Sequence, residues 1–329
     1  MNGSICCLGE ALVDFVSISN HRRLIDAEAF KPCAGGAPAN VAVGIGRLGG
    51  QASLISCLGQ DVWGDFLFEA LKREGVDVRG VQRTGASSTT QAFVSVDEKG
   101  ERDFSFIRSP GADTMLSDSR LDEGTLDACS VLHIGTFSFS SEPSRSASLE
   151  AVRRVKSHGG LVSLDVNYRA SVWIDESEAI RCVESLLPSV DILKVSQEEA
   201  RMLTGLDDLA SAAKRLKELG PKLVLVSLDA DGCLCMNDLV RFQVPAFRVE
   251  CVDATGAGDS FIAAFLQRFV ELGTLFEDVA KLEEACRFAC AAASITVTGR
   301  GAIPSLPIRG EVENVLSGSR RRLAGQASA

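Results

Sequence analysis

Val252-Asp-Ala-Thr-Gly-Ala-Gly-Asp-Ser-Phe261 joins a glycine turn to the start of an amphipathic helix. Downstream, Phe261, Phe265 and Phe269 recur on one helical face with Ile262 and Leu266 beside them, and Gly273 supplies a C-terminal stop. The helix therefore starts near Gly258 or Asp259. Its first backbone N–H groups have no intrahelical partner, and Gly256 and Gly258 let an anion approach the main chain closely. Asp259 sits where the helix end favours a carboxylate, so it is expected to stay ionised at neutral pH and to accept a proton from a hydroxyl. An anion site with its own base is the chemistry this stretch suggests.

The flanking sequence supplies an α/β frame. Cys6 to Ile18 reads as one buried strand that ends or bends at Asp14. Cys33-Ala-Gly-Gly-Ala-Pro-Ala-Asn40 then leads into a helix, with Pro38 in its first turn and Gly49-Gly50 at its end. Gly44-Ile-Gly-Arg-Leu-Gly49 satisfies the dinucleotide fingerprint G-x-G-x-x-G. That fingerprint must follow a strand and open a helix, and here it closes one, so it speaks against a nicotinamide-dependent oxidoreductase. Strands are expected at 51–57, 131–134, 161–166, 192–195 and 223–227, and helices at 64–74, 150–157, 176–187, 197–203 and 209–219. Short apolar strands alternating with helices predict a mostly parallel central sheet sandwiched by helices, with ligands at the carboxyl ends of the strands.

One region breaks the alternation. Gln91 to Val96 and Asp103 to Ile107, joined by Asp97-Glu-Lys-Gly100, read as a β-hairpin. Together with Asp14 to Lys31, the segment Thr89 to Asp113 is expected to form a small β lid on a single domain spanning residues 1–329.

Composition narrows the function. Among 329 residues, 34 basic side chains stand against 44 acidic ones, a net charge of -10 that argues against a general binder of nucleic acid or anionic membranes. No apolar run reaches the roughly 18 residues that span a bilayer, and Glu10 and Asp14 interrupt the N-terminal apolar segment. A soluble cytoplasmic protein is the resulting expectation. Eleven cysteines without a C-x-x-C pair fit reduced thiols used as small hydrophobes. With three scattered histidines, a histidine-rich metal site is not expected, and His133, inside an apolar run, reads as a core residue. The run Arg320-Arg-Arg322 reads as a frayed, solvated end.

Two signatures in this order, Gly35-Gly-Ala-Pro-Ala-Asn-Val-Ala-Val-Gly44 with Arg47-Leu-Gly-Gly50, and Asp253-Ala-Thr-Gly-Ala-Gly-Asp259, resemble those of the ribokinase-like carbohydrate kinases, the PfkB family. Asp14 upstream and Gly301-Ala-Ile-Pro304 downstream extend the resemblance over nearly the whole chain. It implies a ribokinase-like fold with ATP and Mg²⁺ as cofactors. Asp259 is implied as the base, and the main chain of Gly256, Ala257 and Gly258 as the anion hole for the transferred phosphoryl group. Phosphoryl transfer depends on positioning and electrostatics, so a weakly basic aspartate suffices. There is no G-x-x-x-x-G-K-[ST] run, so the phosphate site is not of the Walker type.

The resemblance further implies a sugar held by Asp14, Gly35, Gly36 and Asn40, with Phe104 and Arg108 supplied by the lid. Arg169, in Asp165-Val-Asn-Tyr-Arg169, would neutralise phosphate or fix the substrate. On the nucleotide side it implies Lys194, Ser196, Ser227, Asp229, Gly232, Thr255 and Cys290. Ser196 replaces the usual asparagine of N-x-x-E, Asp229 stands where glycine is common, and Cys290 replaces an asparagine beside the adenine. Glu199 would organise Mg²⁺ through water, and Asp253, Thr255 and Gly301 resemble a monovalent-cation site suited to K⁺. Gly-Gly-Ala-Pro-Ala-Asn, Asp-x-Asn-x-Arg and Phe106-Ile-Arg108 look most like fructokinases, which implies phosphorylation of D-fructose at its 6-hydroxyl. 2-Keto-3-deoxygluconate kinases, aminoimidazole riboside kinases and ribokinases share similar patterns. A sugar-binding regulator that has lost catalysis is the alternative from another class, and a homodimer through the lid is a further expectation.

Overall fold

The structure is a computed structural model that describes residues 3–18, 23–96, 102–108 and 110–318. Its strands are β1 Ser4–Leu8, β2 Leu12–Ser17, β3 Phe30–Gly35, β4 Ala52–Gly59, β5 Val81–Thr84, β6 Gln91–Val96, β7 Arg102–Ile107, β8 Cys129–Gly135, β9 Leu161–Asp165, β10 Ile192–Ser196, β11 Leu223–Ser227, β12 Cys233–Met236 and β13 Arg241–Val244. Its helices are α1 Ala37–Arg47, α2 Val62–Arg73, α3 Glu123–Ala128, α4 Ser144–Ser157, α5 Glu176–Leu186, α6 Gln197–Thr204, α7 Leu209–Glu218, α8 Ala257–Glu271, α9 Val279–Thr296, α10 Ala302–Ser305 and α11 Arg309–Leu316.

Nine strands form one sheet in the order β13-β12-β11-β10-β9-β8-β1-β4-β5. From β5 to β11 every pairing is parallel, and β12 and β13 close one edge antiparallel. This is the expected sandwiched α/β architecture, because a short strand such as β11 is apolar on both faces and buried along almost its whole length. The order reverses around β1, whose neighbours β4 and β8 are reached by connections running to opposite sides. A crevice opens at the carboxyl ends of strands where such a reversal occurs.

The remaining strands form a second sheet in the order β3-β2-β6-β7. Here the single strand expected from Cys6 to Ile18 divides in two. β1 joins the large sheet and β2 the small one, with Gly9 at φ 147° in the connection, a conformation that L side chains rarely adopt. Asp14 therefore lies within β2 and does not end it. Period-2 alternation gives the small sheet two characters. Phe15, Phe30 and Phe93 cluster on one face, with Phe15 and Phe93 stacked at 4.8 Å and Phe15 edge-on to Trp63 of α2 at 4.9 Å. Asp14, Ala92 and Phe106 lie in register across β2, β6 and β7 on the other face. The hairpin turn at residues 97–100, part of the segment from Asp14 to Lys31, and Arg320 to Arg322 fall outside the described residues.

α8 and α1 lie side by side against the large sheet. Phe261, Phe265 and Phe269 are at most 4 % exposed, each contributing roughly 1.5–3 kcal/mol of apolar burial. Gly44 explains the misleading fingerprint: a Cβ there would stand 2.8 Å from Cβ of Ala263, so glycine lets α1 approach α8. That packing sets the first turns of the two helices next to each other.

Candidate active site

A cavity of about 560 Å³ opens where the two sheets meet, lined from the carboxyl ends of β1, β8, β9, β10 and β11 and by the first turns of α1 and α8. At its centre, α8 begins one residue earlier than the sequence suggests. Gly256 is the N-cap at φ 79°, and no side chain caps the helix. A Cβ on Gly256 would stand 2.7 Å from Cβ of Ala302, and one on Gly258 would stand 3.0 Å from Nζ of Lys194. Glycine is thus required at 256 by both backbone and space. Gly256, Ala257 and Gly258 line the cavity with the leading N–H groups of the helix.

Asp259 is the third residue of α8, and its Oδ2 accepts a 2.8 Å hydrogen bond from Nδ2 of Asn40 in α1. The sequence suggests a readily ionised carboxylate, but the structure gives the opposite direction. Asp259 keeps some exposure to the cavity yet lies deep in the protein, and burial raises its pKa against the lowering influence of Asn40, Lys194 and Arg169. A single helix terminus does not offset that desolvation. An elevated pKa suits a general base better than an unshifted one.

The end of the cavity that the resemblance assigns to a sugar combines carboxyls with an apolar wall. Asp14 points into the cavity from β2, and its carboxyl is raised to about 7 by burial and by Asp259, with Arg169 opposing. Gly35 does not line the cavity itself. A Cβ there would lie 2.1 Å from Oδ2 of Asp14, so glycine makes room for that carboxylate. Gly36, at φ 99°, and Asn40 do line it. Arg169 reaches the wall as an exposed cation facing Asp14 and Asp259.

The two lid assignments come out differently. Phe104 lies in β7, but its side chain falls outside the described residues. Arg108 is not among the residues lining the cavity. Its Nη2 donates to Oδ2 of Asp113 at 2.7 Å and its Nη1 to Oγ of Ser140 at 3.2 Å, and both charged side chains are buried. The guanidinium stacks 4.2 Å from the centroid of Phe137, whose ring, with Phe106, forms the cavity wall. A buried acid five residues on satisfies the arginine locally.

At the opposite end, which the resemblance assigns to a nucleotide, Nζ of Lys194 donates to both carboxylate oxygens of Asp165 at 2.9 and 3.0 Å. Burial would lower the Lys194 pKa, but Asp165, Glu199 and Asp259 reverse the shift and keep it charged. Burial pushes Asp165 upward against the pull of Lys194. Ser196 caps α6 in a capping box with Glu199. The two oxygens of Glu199 accept from the N–H groups of Tyr168 and Ser196, each at 2.7 Å. Ser196, Glu199, Ser227, Asp229 and Thr255 all line the cavity. Asp229 adopts φ 49°, the left-handed region, which explains why glycine suits this position.

Gly232 and Cys290 are not among the lining residues. Gly232 makes a turn at φ 97° in which a Cβ would lie 2.0 Å from the carbonyl oxygen of Val244. Cys290 is buried in the core with its Sγ 3.7 Å from that of Cys233. Asp253, Thr255 and Gly301 do converge: Oδ1 of Asp253 accepts from Thr255 N at 2.9 Å and from its Oγ1 at 2.6 Å, and Oδ2 accepts from Gly301 N at 2.8 Å. His133 is a core residue whose Nδ1 meets Oγ of Ser163 at 3.0 Å and whose pKa burial lowers to about 3.

Among the lining residues that the sequence reading did not assign to the site are Glu10, Phe137, Asp165 and Asn167. Asp165 carried a signal, a carboxylate closing an apolar strand. Glu10 carried the same signal, as a lone charge in an apolar run.

The pfkB family carbohydrate kinase model matches residues 2–309. Fructokinase-1 of Oryza sativa subsp. japonica is 41% identical over 309 residues, 94% of this chain and 96% of that protein. Fructokinase-2 of Solanum lycopersicum is 39% identical over 320 residues, 96% and 97% of the two chains. Among solved structures, a fructokinase with bound ATP from Xylella fastidiosa superposes with a TM-score of 0.88 at 32% identity, covering 97% of this chain and 99% of that one. With the site geometry and these matches together, the chain belongs to the pfkB family of carbohydrate kinases.

Proposed function

We propose that this kinase transfers the γ-phosphoryl group of ATP to the 6-hydroxyl of D-fructose. The observation that carries the reading is the Asn40–Asp259 pair at the uncapped start of α8, which sets a base beside a row of main-chain donors in one cavity. Asp259 accepts the proton as the hydroxyl oxygen bonds to phosphorus and the bond from phosphorus to the ADP oxygen breaks. The N–H groups of α8 stabilise charge on the transferring group, and Lys194 and Arg169 add fixed positive charge on either side. Asp14, Gly36 and Asn40 orient sugar hydroxyls, and Phe106 and Phe137 cover an apolar face of the ring.

The charge of the sugar end favours a neutral acceptor. Asp14 and Asp259 face it, so an acidic sugar such as 2-keto-3-deoxygluconate would place a third carboxylate beside them. The relatives named fructokinase support fructose among the neutral sugars. For Mg²⁺, the donor set fits. Glu199 uses one lone pair per oxygen on main-chain N–H groups and would hold the ion through water, and the bound ion supplies neutralisation of polyphosphate charge. The Asp253, Thr255 and Gly301 loop would take K⁺, the small sheet would act as a lid over the sugar and as the surface of a homodimer, and the protein would work in the cytoplasm. An ATP-coupled assay over fructose, ribose, aminoimidazole riboside, 2-keto-3-deoxygluconate and adenosine tests the reading. Fructose is expected to give the highest kcat/KM, and no turnover of any acceptor would overturn it.

A further inference from the structure

Two buried polar atoms beside the first turn of α1 have no hydrogen-bond partner among the described residues: Oε2 of Glu10 and Oδ1 of Asn40. Both residues line the cavity and both are 5 % exposed. The other half of each group is committed. Oε1 of Glu10 accepts from the N–H of Ala37 at 3.0 Å, and Nδ2 of Asn40 donates to Asp259. Ala37 and Asn40 are three residues apart on one helix, so they share a face, and the two unpartnered atoms flank the same turn. Capping Ala37 uses one carboxyl oxygen only. Burying the second without a partner is costly unless a ligand meets it.

We propose that Glu10 is a sugar-binding residue, its Oε2 and the Oδ1 of Asn40 together holding one hydroxyl of the acceptor other than the one phosphorylated. The proposal rests on the sugar-kinase reading and extends it to a specificity position. A hydroxyl both donates and accepts, and the site offers it both roles. Asn40 Oδ1 can only accept. Burial, with Asp113 and Asp259 adding to it, raises the Glu10 carboxyl to about 8, so at neutral pH the group carries a proton. With Oε1 already accepting from Ala37, the proton resides on Oε2 and is donated. The ligand class that fits is a neutral polyol, which brings no charge to a buried acid pair.

The test uses the full chain, calorimetric titration with the preferred sugar and with its monodeoxy derivatives, and steady-state kinetics beside it. Glu10→Ala should weaken binding of the parent sugar by about tenfold or more, leave the KM for ATP within about twofold, and cost almost nothing with the one deoxy sugar that lacks the contacted hydroxyl. Glu10→Gln, whose amide can still donate while its oxygen accepts from Ala37, should stay within about threefold of the parent protein. An equal loss across every deoxy sugar, or no loss, would overturn the proposal. If Glu10→Ala does not fold, Glu10→Leu is titrated in its place against the same series and read by the same criterion. A chain that binds sugar without phosphorylating any overturns the kinase reading alone, whereas a chain that binds no sugar overturns both.

Discussion

Asn40→Leu removes the hydrogen bond that Asn40 donates to Asp259, the proposed base, while keeping side-chain volume. The bond is 2.8 Å long and runs to a group that must be ionised to work. Hydrogen bonds to charged groups contribute about 1.5–3 kcal/mol, and about 1.4 kcal/mol corresponds to one pKa unit, so the Asp259 pKa should rise by about one to two units. The sign follows from the direction already present. Burial raises this pKa and Asn40 opposes it, so deleting Asn40 raises it further. The ionised base then becomes scarcer at any given pH below the new value. The acid limb of kcat against pH should move to higher pH by about that amount, with roughly 10- to 100-fold lower kcat on the limb and recovery of part of the loss on the alkaline side. Saturating sugar and ATP at each pH isolate the effect from binding. An unmoved limb with a raised sugar KM would make Asn40 a sugar ligand only and would refute its role in lowering the Asp259 pKa.

Three further outcomes follow from the geometry. Asp259→Asn should lower kcat by roughly a thousandfold or more while calorimetry still detects sugar binding, and a change confined to KM would displace Asp259 as the base. Lys194→Met strands Asp165 as a buried, unpaired acid and should destabilise the fold by about 3–5 kcal/mol in denaturant melts, whereas Lys194→Met with Asp165→Asn should recover much of that loss. The apo protein should lose stability as pH rises. Glu10 and Asp14 are raised to about 8 and about 7 from ordinary values of 4.5 and 3.8, so between those values the folded chain binds more protons than the unfolded one. The unfolding free energy from urea melts should fall across that window, by a total on the order of a few kcal/mol, and a rise instead would show that these acids are stabilised as anions.

What the sequence revealed was local chemistry with periodic support. The Phe261, Phe265 and Phe269 stripe and the glycines at 256 and 258 each imply a physical requirement that the structure shows directly: a buried helix face, a left-handed N-cap and a close approach to Lys194. Long-range partnership was not legible. Nothing in Cys6 to Ile18 marks the chain's passage from one sheet to the other, because apolar residues flank the turn on both sides and Gly9 is a single glycine without a companion turn residue. α9 is apolar and buried over most of its circumference, so its periodicity is weak and it gave no helix signal. Arg108 has the residue type of a substrate clamp, and only the fold shows that Asp113 and the ring of Phe137 have already engaged it. Cys290 likewise aligns with a nucleotide position, yet its side chain turns into the core.

The same contrast explains how an aspartate would serve as the proposed base without a histidine. A carboxylate exposed at a helix start would be a weaker base, and one buried alone would remain protonated. Asp259 is held between these limits. Depth in the protein raises its pKa, and Asn40, Lys194 and Arg169, arriving from α1, β10 and the end of β9, each lower it. Every one of these partners comes from a different element, so the value is set by the packing of α1 against α8 and by the strand ends, not by the glycine motif. Arg169 is the exposed member, and its influence should weaken with salt, whereas those of Asn40 and Lys194 should not. Raising ionic strength in the parent protein should therefore shift the acid limb slightly upward, and Arg169→Gln should abolish that salt response while leaving the limb otherwise close to its high-salt position. A salt-dependent limb that persists in Arg169→Gln would mean that another exposed charge acts on the base.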